Sequence, residues 1–145
     1  MKLVVGSDHA GFELKNELKA YLIEKGYEVT DVGTDSPASC PYPVYGEKAA
    51  RLVADGSCRF GIIVCGTGCG ISLAANHVKG VRCVNCSEPF TASLARRHND
   101  ANMLAVGARV IGSGMAKMIV DAFLAAEFEG GRHAERVAMI ENIPE

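Results

Sequence analysis

The chain has 145 residues, enough for one domain with a core of its own, and its 48% hydrophobic and 22% charged residues are those of an ordinary globular protein. A net charge of -2 gives no reason to expect nucleic acid or an anionic membrane surface, so any basic chemistry must be local. No apolar run approaches the ~20 residues of a membrane span, and Lys2-Leu3-Val4-Val5 reads as a strand rather than a secretion signal, so a cytoplasmic protein is expected.

Strand patterns alternate with helical ones along the chain. Residues 2–6 are apolar and β-branched; residues 12–25 place Phe12, Leu14, Leu18, Tyr21 and Leu22 near a helical period and end at Lys25-Gly26, a helix stop. Residues 28–33 read as a short strand, 34–43 as a loop rich in Ser, Pro and Tyr, and 44–55 as a helix closed by Asp55-Gly56. A third strand is predicted over 60–65, a helix over roughly 70–77, a fourth strand over 80–85, a helix over 88–97 and a fifth strand over 103–106. A helix at roughly 114–127 is broken by Glu129-Gly130-Gly131 before a last helix at 132–141, read as an arm that packs on a partner subunit.

This alternation predicts a single domain over 1–145: a Rossmann-like three-layer α/β/α sandwich with a five-stranded parallel sheet and a C-terminal helical arm. Ligands of such sheets sit beyond the carboxyl ends of the strands. Four segments are therefore expected to meet: Ser7-Asp8-His9, residues 65–70, Cys86-Ser87-Glu88, and the stretch around Gly107.

The densest signal is Cys65-Gly66-Thr67-Gly68-Cys69-Gly70, a thiol and three glycines between a strand and a helix start. Its third glycine comes one residue too early for the dinucleotide pattern, and no Gly-Lys-Ser/Thr makes it a P-loop, which disfavours a nucleotide cofactor. What remains is an anion nest of backbone amides at a helix N-terminus, with a tight βα turn as the plainer alternative. Cys65 faces that dipole, which favours thiolate, although buried passive cysteines are commoner. A base beside oxyanion donors is what deprotonation of a carbon acid requires.

Other polar clusters admit two readings each. Asp8-His9 could hold substrate hydroxyls or phosphate, or Asp8 could cap the following helix. His98 offers a proton donor or acceptor, while Arg96 and Arg97 read as a solvated helix end. Arg132 and Arg136 share one helix face and suit a phosphate clamp joined by Arg109, or a surface pair with Glu129 or Glu135. The six cysteines, at 40, 58, 65, 69, 83 and 86, are expected as free thiols. Cys83-x2-Cys86 has a zinc-like spacing, but a regular strand throws the two to opposite faces, so no metal is expected.

With these motifs in order, the chain resembles, nearly end to end, the ribose-5-phosphate isomerase B family, which also holds the galactose-6-phosphate isomerase subunits. The resemblance rests on Ser7-Asp8-His9-Ala10-Gly11-Phe12, Cys65-Gly66-Thr67-Gly68-Cys69-Gly70-Ile71-Ser72, Cys86-Ser87-Glu88-Pro89, Arg97-His98-Asn99-Asp100-Ala101-Asn102, Gly107-Ala108-Arg109-Val110 and Glu129-Gly130-Gly131-Arg132-His133. It implies an aldose–ketose isomerisation through a cis-enediolate without metal or cofactor. Cys65 matches the general base, the amides of Gly66, Thr67, Gly68, Cys69 and Gly70 the anion hole, and His98, with Thr67 nearby, the residue that opens the sugar ring. Asp8, His9, Asn99, Arg109, Arg132 and Arg136 match contacts to substrate and phosphate. The resemblance further implies a homodimer or dimer of dimers, with sites at the interface. A related branch uses a glutamate base on the following helix; Ile71-Ser72-Leu73-Ala74-Ala75-Asn76 has no carboxylate, so the cysteine type is expected.

Two departures stand out from the family pattern. Pro41-Tyr42-Pro43 replaces a usual Asp-Tyr-Pro, and Cys69 replaces an apolar residue. Ribose 5-phosphate is the expected substrate, with a six-carbon sugar phosphate (allose or galactose 6-phosphate) or a non-catalytic sugar-phosphate module as alternatives.

Overall fold

The computed structural model describes all 145 residues. Its elements run β1 (Lys2–Ser7), α1 (Phe12–Glu24), β2 (Glu28–Asp31), α2 (Tyr42–Ala54), β3 (Phe60–Cys65), α3 (Cys69–Asn76), β4 (Cys83–Asn85), α4 (Pro89–Asn99), β5 (Met103–Gly107), α5 (Ser113–Ala125) and α6 (Arg132–Glu141). The five strands form one sheet in the order β2-β1-β3-β5-β4, and every pairing is parallel. The three-layer architecture expected from the alternating pattern is thus observed. No helix is long and apolar enough to cross a membrane.

Strand periodicity splits the core into two layers. Leu3, Val5, Ile62, Val64, Leu104 and Val106 face one side, where they meet Leu14, Leu18 and Leu22 of α1, Ala92 and Ala95 of α4, and Ile119, Val120 and Phe123 of α5. Val4, Ile63, Cys65, Met103 and Ala105 face the other, against Ala49, Ala50 and Val53 of α2 and Ile71 and Ala75 of α3. Both faces being covered, β3 is buried at every position. Leu18 and Leu22 lie four residues apart on α1 and are fully buried; each such side chain stabilises the fold by about 2 kcal/mol.

Element ends differ from the predicted ones for local reasons. The loop expected to reach residue 43 ends earlier, because Pro43 sits in the first turn of α2, where its missing N–H costs nothing. Glu88 lies outside α4 and caps it, accepting from Thr91 N–H at 2.9 Å. β4 is three residues long rather than six: before it, Arg82 N–H donates to the Asn102 side chain at 2.8 Å instead of to a ladder partner. β2 stops at Asp31, whose carboxylate takes the Gly33 N–H at 2.9 Å and turns the chain out of the sheet.

The first strand enters the sheet's middle and the chain then moves to β2 on one side and β3 on the other. The order reverses between β1 and β3, and the crevice at such a switch point is where open α/β sheets bind ligands.

Candidate active site

The four expected segments do meet at the carboxyl ends of the strands. Asp8 N–H donates to Val64 O at 3.3 Å, Ala108 N–H to Cys65 O at 2.9 Å, Arg109 N–H to Gly66 O at 3.0 Å, and Cys86 N–H to Ala105 O at 3.0 Å. Loops after β1, β3, β4 and β5 are thereby knitted around the thiol.

Cys65 ends β3 and is 5% exposed. The chain then turns through Gly68, whose φ of +82° is the left-handed conformation that caps α3. This turn folds the loop back so that Gly68 N–H donates to Cys65 Sγ at 3.1 Å. The first bond of α3 runs from Ser72 N–H to Gly68 O at 3.2 Å, so the Gly70 and Ile71 amides open the helix without a backbone acceptor. With the dipole behind them, these amides suit an anion. Gly70 lies inside α3, against Tyr42: a Cβ there would approach the ring to 2.5 Å. That glycine is needed as much for the α2–α3 contact as for the nest.

The surrounding residues orient one another. Thr67 Oγ1 accepts from Cys69 N–H at 3.2 Å, and Asn85 Nδ2 donates to Thr67 O at 3.3 Å and to Cys69 Sγ at 3.2 Å. Arg109 reaches over Gly66, where a Cβ would stand 3.2 Å from Nη1. Asp8 is buried, and its Oδ1 accepts from Gly11 N–H at 3.0 Å; it closes the turn before α1 rather than capping the helix from the position next to it. His9 Nδ1 accepts from Cys40 N–H at 3.2 Å, which puts the proton of a neutral ring on Nε2 as a donor.

The second half of the expected site lies elsewhere. β5 pairs Cys65 with Gly107 at one end and Gly61 with Met103 at the other, four residue steps or about 13 Å away. α4 re-enters β5 at the Met103 end, so His98 and Asn99 stand there, away from Cys65 within one chain. His98 stacks on His133 with ring centroids 4.2 Å apart and planes 7° from parallel. Nε2 of each ring is 3.8 Å from Glu129 Oε1. Arg97 holds Glu129 at 2.6 Å and keeps its carboxyl below the usual range. Burial, then the neighbouring His98 and Arg132, press His133 below its ordinary value.

Glu129 is thus occupied, and Arg132 and Arg136 form no surface pair with it. His98, Glu129 and His133 bring three ligand-type atoms within 4.8 Å, but parallel stacked rings direct their lone pairs side by side rather than to one ion. The expectation of a solvated helix end is wrong for Arg96. It is 3% exposed and donates to Asp100 Oδ1 at 2.8 Å and Ala101 O at 2.7 Å, because Asp100 turns the chain back at φ +46°. No local motif in the sequence marks Asn85; it meets the glycine loop because β4 lies beside β5 and its side chain reaches past the end of that strand to Thr67. Cys83 and Cys86 fall into opposite core layers.

Comparison with known proteins agrees with this architecture. A family model described as Ribose/Galactose Isomerase matches residues 3–140. The chain is 54% identical to ribose-5-phosphate isomerase B of Escherichia coli (strain K12), over 96% of this chain and 93% of that protein. The Clostridium thermocellum ribose-5-phosphate isomerase B structure superposes with a TM-score of 0.96 at 51% identity, covering 97% of this chain and 95% of that one. The Mycoplasma genitalium enzyme with bound ribulose-5-phosphate superposes with a TM-score of 0.93 at 39% identity, covering 97% and 93%. The chain therefore belongs to the ribose/galactose isomerase family and is an isomerase enzyme.

Proposed function

We propose that this isomerase interconverts ribose 5-phosphate and ribulose 5-phosphate through a cis-enediolate, with Cys65 as general base, in a cytoplasmic homodimer or dimer of dimers. The observation that carries the reading is the Gly68 N–H on Cys65 Sγ at 3.1 Å, at the mouth of α3. A donor at the sulfur and a helix N-terminus beside it are placed where a sulfur acting as a base carries negative charge. The relatives named for ribose 5-phosphate, and the ribulose-5-phosphate bound in the Mycoplasma structure, support a five-carbon substrate.

The reaction proceeds in three steps. His98, assisted by Thr67, opens the furanose ring by moving a proton from the anomeric hydroxyl to the ring oxygen. Thiolate Cys65 takes the C2 proton, and the charge that develops on O1 is held by the amides of residues 66–70. The thiol returns its proton to C1 while the O2 proton passes to O1, which leaves the ketose. Arg109, Arg132 and Arg136 grip the phosphate, and Asp8, His9 and Asn99 hold hydroxyls, which fixes the reacting carbons against the sulfur. His98, Asn99, Arg132 and Arg136 come from a second copy. An apolar surface for that copy is present: α6 has no buried residue, and Met139, Ile140 and Ile143 are exposed.

The test is turnover of ribose 5-phosphate by Cys65→Ala. A loss of kcat of roughly 100-fold or more is expected for removal of a general base, with KM little changed; a wild-type rate removes Cys65 from the role. Product formed in deuterated water should carry solvent deuterium at C1. A panel of five- and six-carbon sugar phosphates fixes the substrate: faster turnover of a six-carbon sugar phosphate would displace ribose 5-phosphate.

A further inference from the structure

Asn85 has no part in the reaction just described, yet it touches the loop that carries it. It is the last residue of β4, an edge strand, and its side chain reaches across to the glycine loop. Nδ2 donates to Thr67 O at 3.3 Å and to Cys69 Sγ at 3.2 Å. The Thr67 carbonyl and the Gly68 N–H are the two ends of one peptide group, and that N–H donates to Cys65 Sγ at 3.1 Å. A relay therefore runs from the Asn85 amide, through one peptide plane, to the sulfur. A donor on the oxygen stops that plane from rotating its N–H off the thiol. It also polarises the N–H, because linked hydrogen bonds strengthen one another. The fit is close: a Cβ on Gly68 would collide with Asn85 Oδ1.

We propose that Asn85 is a positioning residue for Cys65, holding the Thr67–Gly68 peptide so that its N–H stabilises the thiolate. The proposal rests on the reading of Cys65 as general base. Bonds to an ionised acceptor are the stronger kind, so the relay favours thiolate over thiol. The charged and titratable side chains on the segments packed beside this turn are Asp8 and His9 after β1, Arg109 after β5, Cys69 on α3 and Tyr42 on α2. Asn85→Ala leaves the charged side chains in place but also frees Cys69 Sγ, so Cys69→Ala is the control: a change in Cys65 behaviour that it does not reproduce reports the relay.

The experiment compares wild type with Asn85→Ala and Asn85→Asp. Asp has the shape of Asn, and Asn85 is exposed, so the fold tolerates it. Iodoacetamide at pH 7 is the probe, with fragment ions separating Cys65 from Cys69. Loss of one hydrogen bond of about 1 kcal/mol should slow Cys65 alkylation about 5-fold in Asn85→Ala, and further in Asn85→Asp, where a carboxylate faces the carbonyl. The acidic limb of the kcat/KM–pH profile for ribose 5-phosphate should move to higher pH, with KM within about twofold of wild type because a positioning residue makes no substrate contact. A loosened loop would do the opposite to alkylation, since Cys65 is 5% exposed and disorder would speed its modification. Unchanged or faster alkylation with an unmoved pH profile overturns the proposal. If instead Cys65→Ala isomerises at the wild-type rate, the base assignment fails, while slowed alkylation would still establish the Asn85 relay.

Discussion

Cys65 and His98 stand at opposite ends of the sheet. Cys65 pairs with Gly107 where β5 ends, and His98 lies in the last turn of α4, which feeds β5 at Met103. One chain therefore presents a thiol with its amide nest at one pole, and a stacked His98–His133 pair with Arg132 and Arg136 at the other. The proposed site uses both sets and would take them from two copies, each supplying the half the other lacks. The two-fold symmetry of a dimer then makes two such sites at once.

Complementation follows from that geometry. Cys65→Ala and His98→Asn are each expected to be inactive as homodimers. Unfolded together and refolded as a mixture, they should form dimers of which half are mixed. Each mixed dimer carries one site with both changes and one with neither, so activity should recover to about a quarter of wild type. Assay of the refolded mixture against each variant refolded alone checks it. No recovery would mean that both groups act within one chain or do not share a site.

The buried Lys15 gives a stability prediction away from the site. Lys15 is 1% exposed, donates to Thr34 O at 2.6 Å and pairs with Asp31 at 3.0 Å. Burial alone would raise the Asp31 carboxyl, but the Gly33 N–H and the Lys15 ammonium outweigh it and hold the group below its usual value. A depressed carboxylate contributes stability above the unfolded value that is lost as pH falls through the folded one. Asp31→Asn leaves the buried ammonium without a charged partner and should cost about 3 kcal/mol. Adding Lys15→Met should restore part of that loss. Urea unfolding at neutral pH reads both.

The fold was legible because both core layers are written as alternation: Leu3 against Val4, Ile62 against Ile63, Leu104 against Ala105. The pole around Cys65 was legible too, since the carboxyl ends of parallel strands converge whatever the side chains. Less legible were effects that depend on a distant partner. Arg96 looks solvated in sequence, because nothing local shows that Asp100 turns back to meet it or that Phe60 lies 4.6 Å from its guanidinium. Asn85 is an undistinguished residue until the β4–β5 pairing sets it opposite Ala105, from where its side chain reaches Thr67 O. His98 and Cys65 read as neighbours in function, and only the helix direction separates them within a chain.

The remaining thiols should divide by environment. Burial, then the Glu88 carboxylate, pushes Cys86 up to about 11, and burial raises Cys83 and Cys58 as well. Cys69 is exposed and Cys40 half-buried. An aromatic disulfide reagent at pH 8 should titrate Cys69 and Cys40 quickly, and Cys58, Cys83 and Cys86 only after denaturation. Rapid labelling of Cys83 would mean that the β4 edge opens in solution.

His133 gives the stability curve a further sign. Its folded value lies below the ordinary 6.5, from burial first and then from His98 and Arg132, while Glu129 acts to raise it. The unfolded chain then binds the proton more tightly than the folded one. Stability conferred by a neutral His133 is whole well above pH 6.5 and drains away as pH falls through that value toward the folded one. Glu129→Gln removes the opposing carboxylate, so the decline between neutral and mildly acid pH should steepen. His133→Gln should flatten it, because the protonation that penalises the folded state is gone. Unfolding free energies measured at intervals across that range check both. A steeper decline in His133→Gln than in wild type would show that another group governs the window.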